Sequence, residues 1–257
     1  MLTAQVVYLK LKNGDPQDIK GNHIHGLFFK KILFFQSPEL AKYLHLPEVP
    51  KSFSISYLCK EEEMYWFRIA SWMDIIPYAV FSYFDSHFSI TLHNCKFELI
   101  KTCTDTEESP WAGRILTSDF IRKAKTKERE EFWIEHYSPT SFKRGDSHIP
   151  LPVPELMIQS IYRQMPSEIK AEIHADPAAL ADVLQLKEHR IRSVYNRKNY
   201  GSVVSFNGKT RWQIDKRASQ DEKEAIWILF DFAFYSGIGV KTTQGMGMCR
   251  ILPERDS

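Results

Sequence analysis

Residues 52–70, SFSISYLCKEEEMYWFRIA, decide the predicted fold, because they contain two strands in succession with no helix between them. In the first strand Phe53, Ile55 and Tyr57 alternate with other residues, and a period of two is typical of a strand with one buried face. The run EMYWFRIA is predicted to be the neighbouring strand, with the charged run KEEE as the connection. Such a pair is the centre of the β-α-β-β-α-β order of a ferredoxin-like domain.

The segments on either side complete this order. Before the pair, QVVYLKLK (5–12) alternates as a strand, and IHGLFFKKILFF (24–35) has apolar residues on a helical period. After the pair, a helix is predicted for DIIPYAVFSYF (74–84) and one long strand for HFSITLHNCKFELI (87–100). The first half of the chain is therefore predicted to be one ferredoxin-like domain.

The same order recurs, with weaker patterning, after the polar segment 101–130 and its basic helical run IRKAKTKERE. The predicted elements are a strand at 131–137, a helix at 154–165, a hairpin of VVSF and TRWQI turning at Asn207 and Gly208, a helix at 222–237 and a strand at 246–251. We predict an α+β protein of two tandem ferredoxin-like (RRM-like) domains, each an antiparallel sheet with helices on one face. The predicted domains are residues 1–125 and 126–257.

The composition excludes several classes of protein. The 257 residues carry a net charge of only +2, so attraction to an anionic partner depends on where the charges lie. The four cysteines have no zinc-ligand spacing, and we predict neither metal nor cofactor. The N-terminus lacks the pattern of a signal peptide, and the most apolar stretch is interrupted by Asp231. We expect a cytoplasmic protein with no membrane partner.

The stretch GIGVKTTQGMGMCRI (237–251) holds four glycines in two G-x-G pairs. It lacks the Walker A lysine, since Met246 follows Gly245, and Thr242 stands where a dinucleotide fingerprint needs glycine. A helix C-cap and a turn into the last strand would explain it in structural terms. The alternative is a loop whose backbone N–H groups face phosphate, with Lys241 and Gln244 in the spacer as ligands.

A basic segment at 187–217 carries nine Lys or Arg residues against two acids. Positive charge follows phosphates and aromatic faces stack on bases, so the segment suits RNA or single-stranded nucleic acid. A solvated hairpin with core aromatics is the alternative. The aromatic residues are Tyr195, Tyr200, Phe206 and Trp212. A smaller cluster, SFKRGDSH (141–148), adds Lys143, Arg144 and His148.

One of the nine histidines, His45, stands out by context. A short helix is predicted for SPELAKYLH, with the serine as N-cap and a proline at the first helical position, so that His45 ends it. Lys51 follows after a proline-stiffened turn. An imidazole that moves a proton, beside an ammonium that stabilises phosphate charge, suits metal-free cleavage of RNA. His23 and His25, at the start of the preceding helix, are the alternative candidates.

Three of these stretches together resemble the CRISPR repeat-processing endoribonucleases of the Cas-six family, within the repeat-associated RNA-binding (RAMP) superfamily. GIGVKTTQGMGM resembles the glycine-rich loop of that superfamily, and LAKYLHLPEVPK resembles the turn that carries a catalytic histidine and lysine. HYSPTSFKRG followed by PLPVPEL resembles the start of the C-terminal domain. The resemblance implies tandem ferredoxin-like domains, with His45 and Lys51 catalytic in the first and the glycine loop binding RNA in the second.

The resemblance also implies a reaction. Precursor CRISPR RNA would be cleaved within the repeat, without metal, by attack of a 2′-OH that gives a 2′,3′-cyclic phosphate and a 5′-OH. The implied partner is CRISPR repeat RNA, precursor and mature guide, while membership of an effector complex and a homodimer stay open. RNA contacts are expected at Gly237, Gly239, Lys241, Gln244, Gly245, Gly247, Lys143, Arg144, Arg190, Arg192 and Arg197.

The chain departs from the family pattern at one position. Similar proteins have a tyrosine on the first helix, and here the matching residue is Phe29 or Phe28. A phenyl ring has no hydroxyl to transfer a proton or bind phosphate. Tyr43 or His25 could take its place, or His45 and Lys51 suffice. A non-catalytic RNA-binding subunit of an effector complex is therefore the alternative function, and a phosphate-binding metabolic enzyme is a third.

Overall fold

The computed structural model describes residues 1–46, 49–196 and 203–253. Contacts divide the chain into two units, the first comprising Met1–Ile115 with Thr243–Gly245, and the second Leu116–Thr242 with 246–257. The strands of the first unit are β1 (Leu2–Asn13), β2 (Phe53–Ile55), β3 (Cys59–Glu61), β4 (Met64–Ser71), β5 (Ser89–Leu92), β6 (Cys95–Cys103) and β7 (Gly113–Ile115). Its helices are α1 (Gly21–Leu27), α2 (Phe34–Gln36), α3 (Pro38–His45) and α4 (Ile75–Ser86).

Strand β1 lies at the centre of the first sheet, whose order is β2-β4-β1-β6-β5 with antiparallel neighbours. The short β3 and β7 add to β4 and β1. Val7 and Leu9 of β1 belong to a buried core that includes Ile32 of the first helical segment and Val80 of α4. This order of strands, with helices against the core, confirms the predicted ferredoxin-like arrangement.

The first helical segment is longer than predicted and is not regular. It begins at Gly21, and the predicted helix at 24–35 contains a π-helical turn, Phe28–Leu33, between α1 and α2. A π-turn inside an α-helix rotates the side chains on either side and is frequent at functional sites. This turn holds Phe28 and Phe29 in the buried face of the helix.

The prediction of one long strand at 87–100 is wrong. The chain reverses at His93 and Asn94 and forms the hairpin β5–β6, with His93 in the left-handed region at φ 54°. Alternating apolar residues continue through both strands, so the pattern alone did not reveal the reversal. Similarly, the predicted strand at 52–59 is divided into β2 and β3, both on β4.

The second unit contains β8 (Glu131–Thr140), β9 (Phe142–Arg144), β10 (Ser147–Ile149), β11 (Leu184–Asn196), β12 (Val203–Ile214) and β13 (Cys249–Ile251). Its helices are α5 (Thr117–Lys125), α6 (Pro154–Gln164), α7 (Ser167–Lys170) and α8 (Gln220–Ser236). The main sheet has the order β11-β12-β8-β13, which repeats the order of the first sheet. This confirms the second ferredoxin-like copy.

The division between the units falls before α5, ten residues earlier than the predicted boundary at 125. The ring of Phe120 on α5 lies 6.4 Å from that of Phe232 and 6.3 Å from that of Tyr235, both on α8. The apolar face of α5 thus packs within the second unit. The polar composition of 101–130 concealed this, because only Phe120 and Ala124 of the helix are buried.

The predicted turn at Asn207 and Gly208 is wrong, since β12 is continuous from Val203 to Ile214 and pairs with β11 over its length. Gly208 lies at a register shift between β12 and β8 and has φ 130°. A Cβ there would lie 2.1 Å from the carbonyl oxygen of Arg190. The glycine permits close approach of two strands and does not make a turn.

Across the described residues, no helix combines the length and the apolar character that crossing a membrane requires.

Candidate active site

Helix α3 places His45 at its last position. The Ser37 side chain accepts the backbone N–H of Leu40, and the helix begins with Pro38, as the sequence predicts. At the other end the Lys51 ammonium donates to the Leu44 carbonyl oxygen at 2.8 Å and also to that of Leu46. The lysine therefore satisfies carbonyls at the helix end. The imidazole of His45 remains exposed.

His25 lies on α1 and is anchored by the glycine-rich loop. Its Nδ1 lies 2.8 Å from the carbonyl oxygen of Thr243. A carbonyl can only accept, so Nδ1–H is the donor, and in the neutral ring the lone pair is on Nε2. Burial lowers the pKa of His25, and the charges of His45 and Lys51 lower it further, against the opposing effect of the Thr243 carbonyl.

The two imidazoles lie close together, and both contact Phe29. The ring centroids of His25 and His45 are 6.2 Å apart, and Phe29 lies 4.7 Å from the first and 5.0 Å from the second. Phe29 itself is 7% exposed and packs on Phe53. Phe29 thus forms an apolar floor in contact with both histidines.

The structure brings His25, His45 and Lys51 together, and gives His23 another environment. Nδ1 of His23 accepts the backbone N–H of Lys20 at 3.1 Å and so caps the start of α1. Its ring stacks on His93 at 4.9 Å. Residues two apart on a helix point to different sides, which separates His23 from His25.

His25 was only an alternative candidate in the sequence because its anchor is a backbone carbonyl 218 residues away. One signal was available: His25 and Phe29 are four residues apart on a helix, and such pairs share a face.

Three of the four glycine amides of the glycine-rich loop bond within the protein, contrary to one sequence-based expectation. The N–H of Gly237 donates to Ala233, that of Gly239 to Ser160 Oγ and that of Gly247 to the Pro139 carbonyl. The alternative expectation, a C-cap at Gly237, is confirmed. Gly245 pairs with Ser56 in an isolated parallel bridge.

Two glycines of the loop are required by the protein's own backbone. A Cβ on Gly239 would lie 2.3 Å from the Ser141 carbonyl oxygen, and one on Gly247 would lie 2.2 Å from that of Ile238. Both have positive φ, 92° and 75°. The close approach that the glycines permit is therefore between the loop and its own domain.

The predicted RNA-binding side chains lie at different places. Lys143, on β9, lines a cavity of about 210 Å³ with Gly239 and with Arg163 of α6, a residue that sequence analysis missed. Arg144 is exposed beside it, and Lys241 and Gln244 are half-buried in the loop.

Two other predicted basic residues lie on the sheet of the second unit. Arg190 stacks over Trp133 at 5.0 Å and bonds to Glu188 at 2.8 Å, and Arg192 donates to Asn207 at 3.0 Å. Arg197 lies outside the described residues.

The aromatic residues of the basic segment divide into two groups. Phe206 and Trp212 are fully buried in the core, so the prediction that they stack on bases is wrong. Strand alternation gives the reason, since their side chains point to the face that packs on the helices. Tyr195 is 53% exposed, and Tyr200 lies outside the described residues.

In the described ranges, no group of three or more His, Cys, Asp or Glu side chains has the arrangement of a metal site. All four cysteines are buried and none forms a disulfide.

The family model for CRISPR-associated endoribonuclease Cas6 matches residues 134–249. The Cas6 endoribonuclease of Mycobacterium tuberculosis is 27% identical over 129 residues, which is 49% of this chain and 40% of that protein. The Streptococcus thermophilus Cas6 is 27% identical over 128 residues, 49% of this chain and 52% of that protein. The match thus spans about half of each relative or less.

The fold comparison covers nearly the whole chain. Thermus thermophilus Cas6 superposes with a TM-score of 0.72 at 24% identity, covering 98% of both chains. In a product complex the same Cas6 gives a TM-score of 0.79, covering 98% of this chain and 100% of that one. Residues 134–249 therefore match the family of CRISPR-associated endoribonuclease Cas6, and the chain as a whole has the fold of the solved Cas6 structures.

Proposed function

We propose that this protein is an endoribonuclease that cleaves precursor CRISPR RNA within the repeat, without metal, to give a 2′,3′-cyclic phosphate and a 5′-OH. The observation that carries the proposal is the pair of imidazoles, His25 and His45, 6.2 Å apart and both in contact with Phe29. In-line displacement at phosphorus places the attacking and leaving oxygens on opposite sides. Two proton-transfer groups are therefore needed, and two are present.

His25 is assigned as the general base. Its Nδ1–H bond to the Thr243 carbonyl leaves the lone pair on Nε2, and burial lowers its pKa and so keeps the ring neutral. Nε2 would take the proton of the 2′-OH as the oxygen attacks the adjacent phosphorus.

His45 is assigned as the general acid. In its protonated form it would donate to the 5′-oxygen as the P–O5′ bond breaks, so that the leaving group departs as a hydroxyl. The exposed position at the end of α3 suits a group that must regain its proton from solvent. With His25 as the general base, His45 has a second proton-transfer group beside it, in place of the missing tyrosine hydroxyl.

Lys51 is assigned a supporting role. Its ammonium holds the Leu44 and Leu46 carbonyls and so fixes the end of the helix that carries His45. Its charge also lowers the pKa of His25. Direct stabilisation of the phosphate by this lysine, as the sequence suggested, requires it to turn towards the RNA when the substrate binds.

RNA binding is assigned to the basic residues of the second unit. Lys143 and Arg163 share a cavity beside the loop, and Lys241 and Gln244 lie within the loop. Arg144, Arg190 and Arg192 add exposed positive charge. Gly237, Gly239 and Gly247 would act by shaping the loop, because their amides bond within the protein.

Cleavage of end-labelled repeat RNA in EDTA tests the proposal. We expect one cut within the repeat, a product with a 2′,3′-cyclic phosphate end that resists labelling until the end is opened, and no change on adding Mg²⁺. RNA that is bound but never cut would instead favour the alternative, a non-catalytic subunit that holds guide RNA, which the missing hydroxyl at Phe29 supports. Cleavage that stops in EDTA and returns with Mg²⁺ would refute the metal-free reaction.

A further inference from the structure

A second candidate site lies in the first unit, where β1 changes its neighbour. Leu2–Ala4 pair with β7, with Thr3 opposite Arg114, whereas from Val6 onward β1 pairs with β6. Gln5 stands between the two partners. The side chains of Thr3 and Gln5 share the sheet face of Val7. The backbone pairing on this edge of β1 is therefore interrupted at Gln5, and the Gln5 side chain lies on the sheet face that the helices cover.

A cavity of about 420 Å³ occupies this opening. Thr3 and Gln5, 1% and 4% exposed, line it. Within the described part of the chain, neither Thr3 Oγ1 nor Gln5 Oε1 has a hydrogen-bond partner. A buried polar atom without a partner is destabilising, so two in residues that line one cavity point to a ligand that bonds to them.

The opposite wall of the cavity comes from the first turns of α4. Pro77, Tyr78 and Phe81 line it, and both aromatic side chains are 57% exposed. At the mouth lie the guanidinium of Arg114 and the carboxylate of Asp74, which is 3.3 Å from the amino group of Met1. The cavity thus combines a polar floor, flat apolar walls and charged groups of both signs at its entrance.

We propose that this cavity receives a single unpaired nucleobase of the bound RNA, away from the histidine pair. The inference rests on the proposed function, since it takes RNA as the ligand. Bases outside helices are recognised by stacking on aromatic side chains and by hydrogen bonds along their edges. Tyr78 and Phe81 supply the stacking surface, Thr3 and Gln5 the hydrogen bonds, and Arg114 a partner for the adjoining phosphate.

The test uses the four nucleoside 5′-monophosphates and ribose 5-phosphate, observed by saturation-transfer NMR with the full chain. Three variants are compared with the wild type. Thr3→Val removes one unpartnered hydroxyl at constant shape, and Tyr78→Ala removes an exposed stacking ring. Thr91→Val, at an exposed position of β5, is the matched control. Melting temperatures confirm that each variant is folded.

We expect nucleotides to bind the wild type and the control, ribose 5-phosphate to bind neither, and both cavity variants to lose the signal. For a ten-residue oligoadenylate at constant salt, Tyr78→Ala is expected to lower affinity about 10-fold, the value of one base stack. Nucleotides are not cleaved, so the result is independent of whether the repeat is cut.

Three results would overturn the inference. One is equal binding of nucleotides to the wild type and both cavity variants. Another is binding of ribose 5-phosphate as strong as that of the nucleotides, which would make the site a phosphate site. The third is self-association in sedimentation that Tyr78→Ala abolishes while oligonucleotide affinity stays unchanged, which would make the surface a protein interface.

Discussion

Burial favours the neutral imidazole both in His25 of the first unit and in His136 of the second, yet only His25 is a candidate for proton transfer to or from a substrate. His25 is half-buried, and its Nδ1 is held by the Thr243 carbonyl. His136 is fully buried, its Nε2 lies 3.0 Å from Thr210 Oγ1, and burial lowers its pKa to about 3. Its ring also packs on Phe206.

The difference between them lies in access. A general base needs one nitrogen that is held and one that reaches the substrate. His25 has this arrangement beside an exposed partner, His45, whereas His136 is enclosed between the sheet and its helices. Complete burial therefore marks the structural histidine here, whereas partial burial with an anchored Nδ1 marks the candidate base.

The largest expected effect separates the two histidines by activity. His25→Ala and His45→Ala should each lower the rate of repeat cleavage about 10²- to 10⁴-fold, because each removes one proton transfer. His136→Gln and His23→Ala should change it by less than about 3-fold, since neither touches the reaction. Single-turnover cleavage rates with saturating protein are the measurement.

RNA affinity is the control for these variants, and it should stay within a few-fold of the wild type. A His25→Ala protein that cuts at the normal rate would remove the base assignment and leave His45 with Lys51. A large loss for His23→Ala would instead move the base to the start of α1.

The second prediction concerns stability in acid. The pKa of His136 is about 3 in the folded protein and ordinary, 6.5, when unfolded, so the unfolded chain binds the extra proton first. The contribution of His136 to the free energy of unfolding is present above pH 6.5. It is lost as the pH falls towards 3, at about 1.4 kcal/mol per pH unit. Urea unfolding at pH 7, 6 and 5 measures the slope.

The matched variant is His136→Gln, which keeps an amide near Thr210 and does not titrate. Its free energy of unfolding should fall less steeply between pH 7 and 5 than that of the wild type, whatever its value at pH 7. Parallel curves for the two proteins would mean that His136 titrates normally and is not enclosed.

The third prediction tests the loop that holds His25. Gly239→Ala should lower the free energy of unfolding by about 3 kcal/mol, because a Cβ meets the Ser141 carbonyl and φ is positive. Gly145→Ala is the control, since that glycine also has positive φ but open space around it. Equal losses in the two variants would show that backbone strain alone matters and that the packing against Ser141 does not.

The sequence was sufficient for the fold class of both copies, but strand β11 was missed, and the two strands predicted within 203–214 are the single strand β12. Alternation and helical period predicted both ferredoxin-like copies, because each strand or helix has one buried face. The hairpin at His93 and the continuous β12 at Gly208 were missed, since a period of two continues through a turn and glycine serves turns and close strands alike. His45 was identified from its helix end, which is local.

The rest of the site depends on contacts that no local pattern contains. The carbonyl that fixes His25 comes from Thr243, where any residue supplies the same group. The glycine pairs were correctly singled out, but as amide donors to a ligand. Gly239 and Gly247 instead leave room for the carbonyl oxygens of Ser141 and Ile238. Residue type alone does not distinguish close approach by a ligand from close approach by the protein itself.

The smallest expected effect is a shift in the pH dependence of cleavage. His25 must be neutral to accept a proton, so kcat/KM should fall in acid with an apparent pKa below 6.5, the ordinary histidine value, because burial and the positive charges of His45 and Lys51 lower it. Lys51→Met removes one of these charges and should move the acidic limb to higher pH, whereas Lys51→Arg keeps the charge and should not. Identical acidic limbs in the three proteins, or a limb above pH 6.5 in the wild type, would mean that His25 is not the group that titrates.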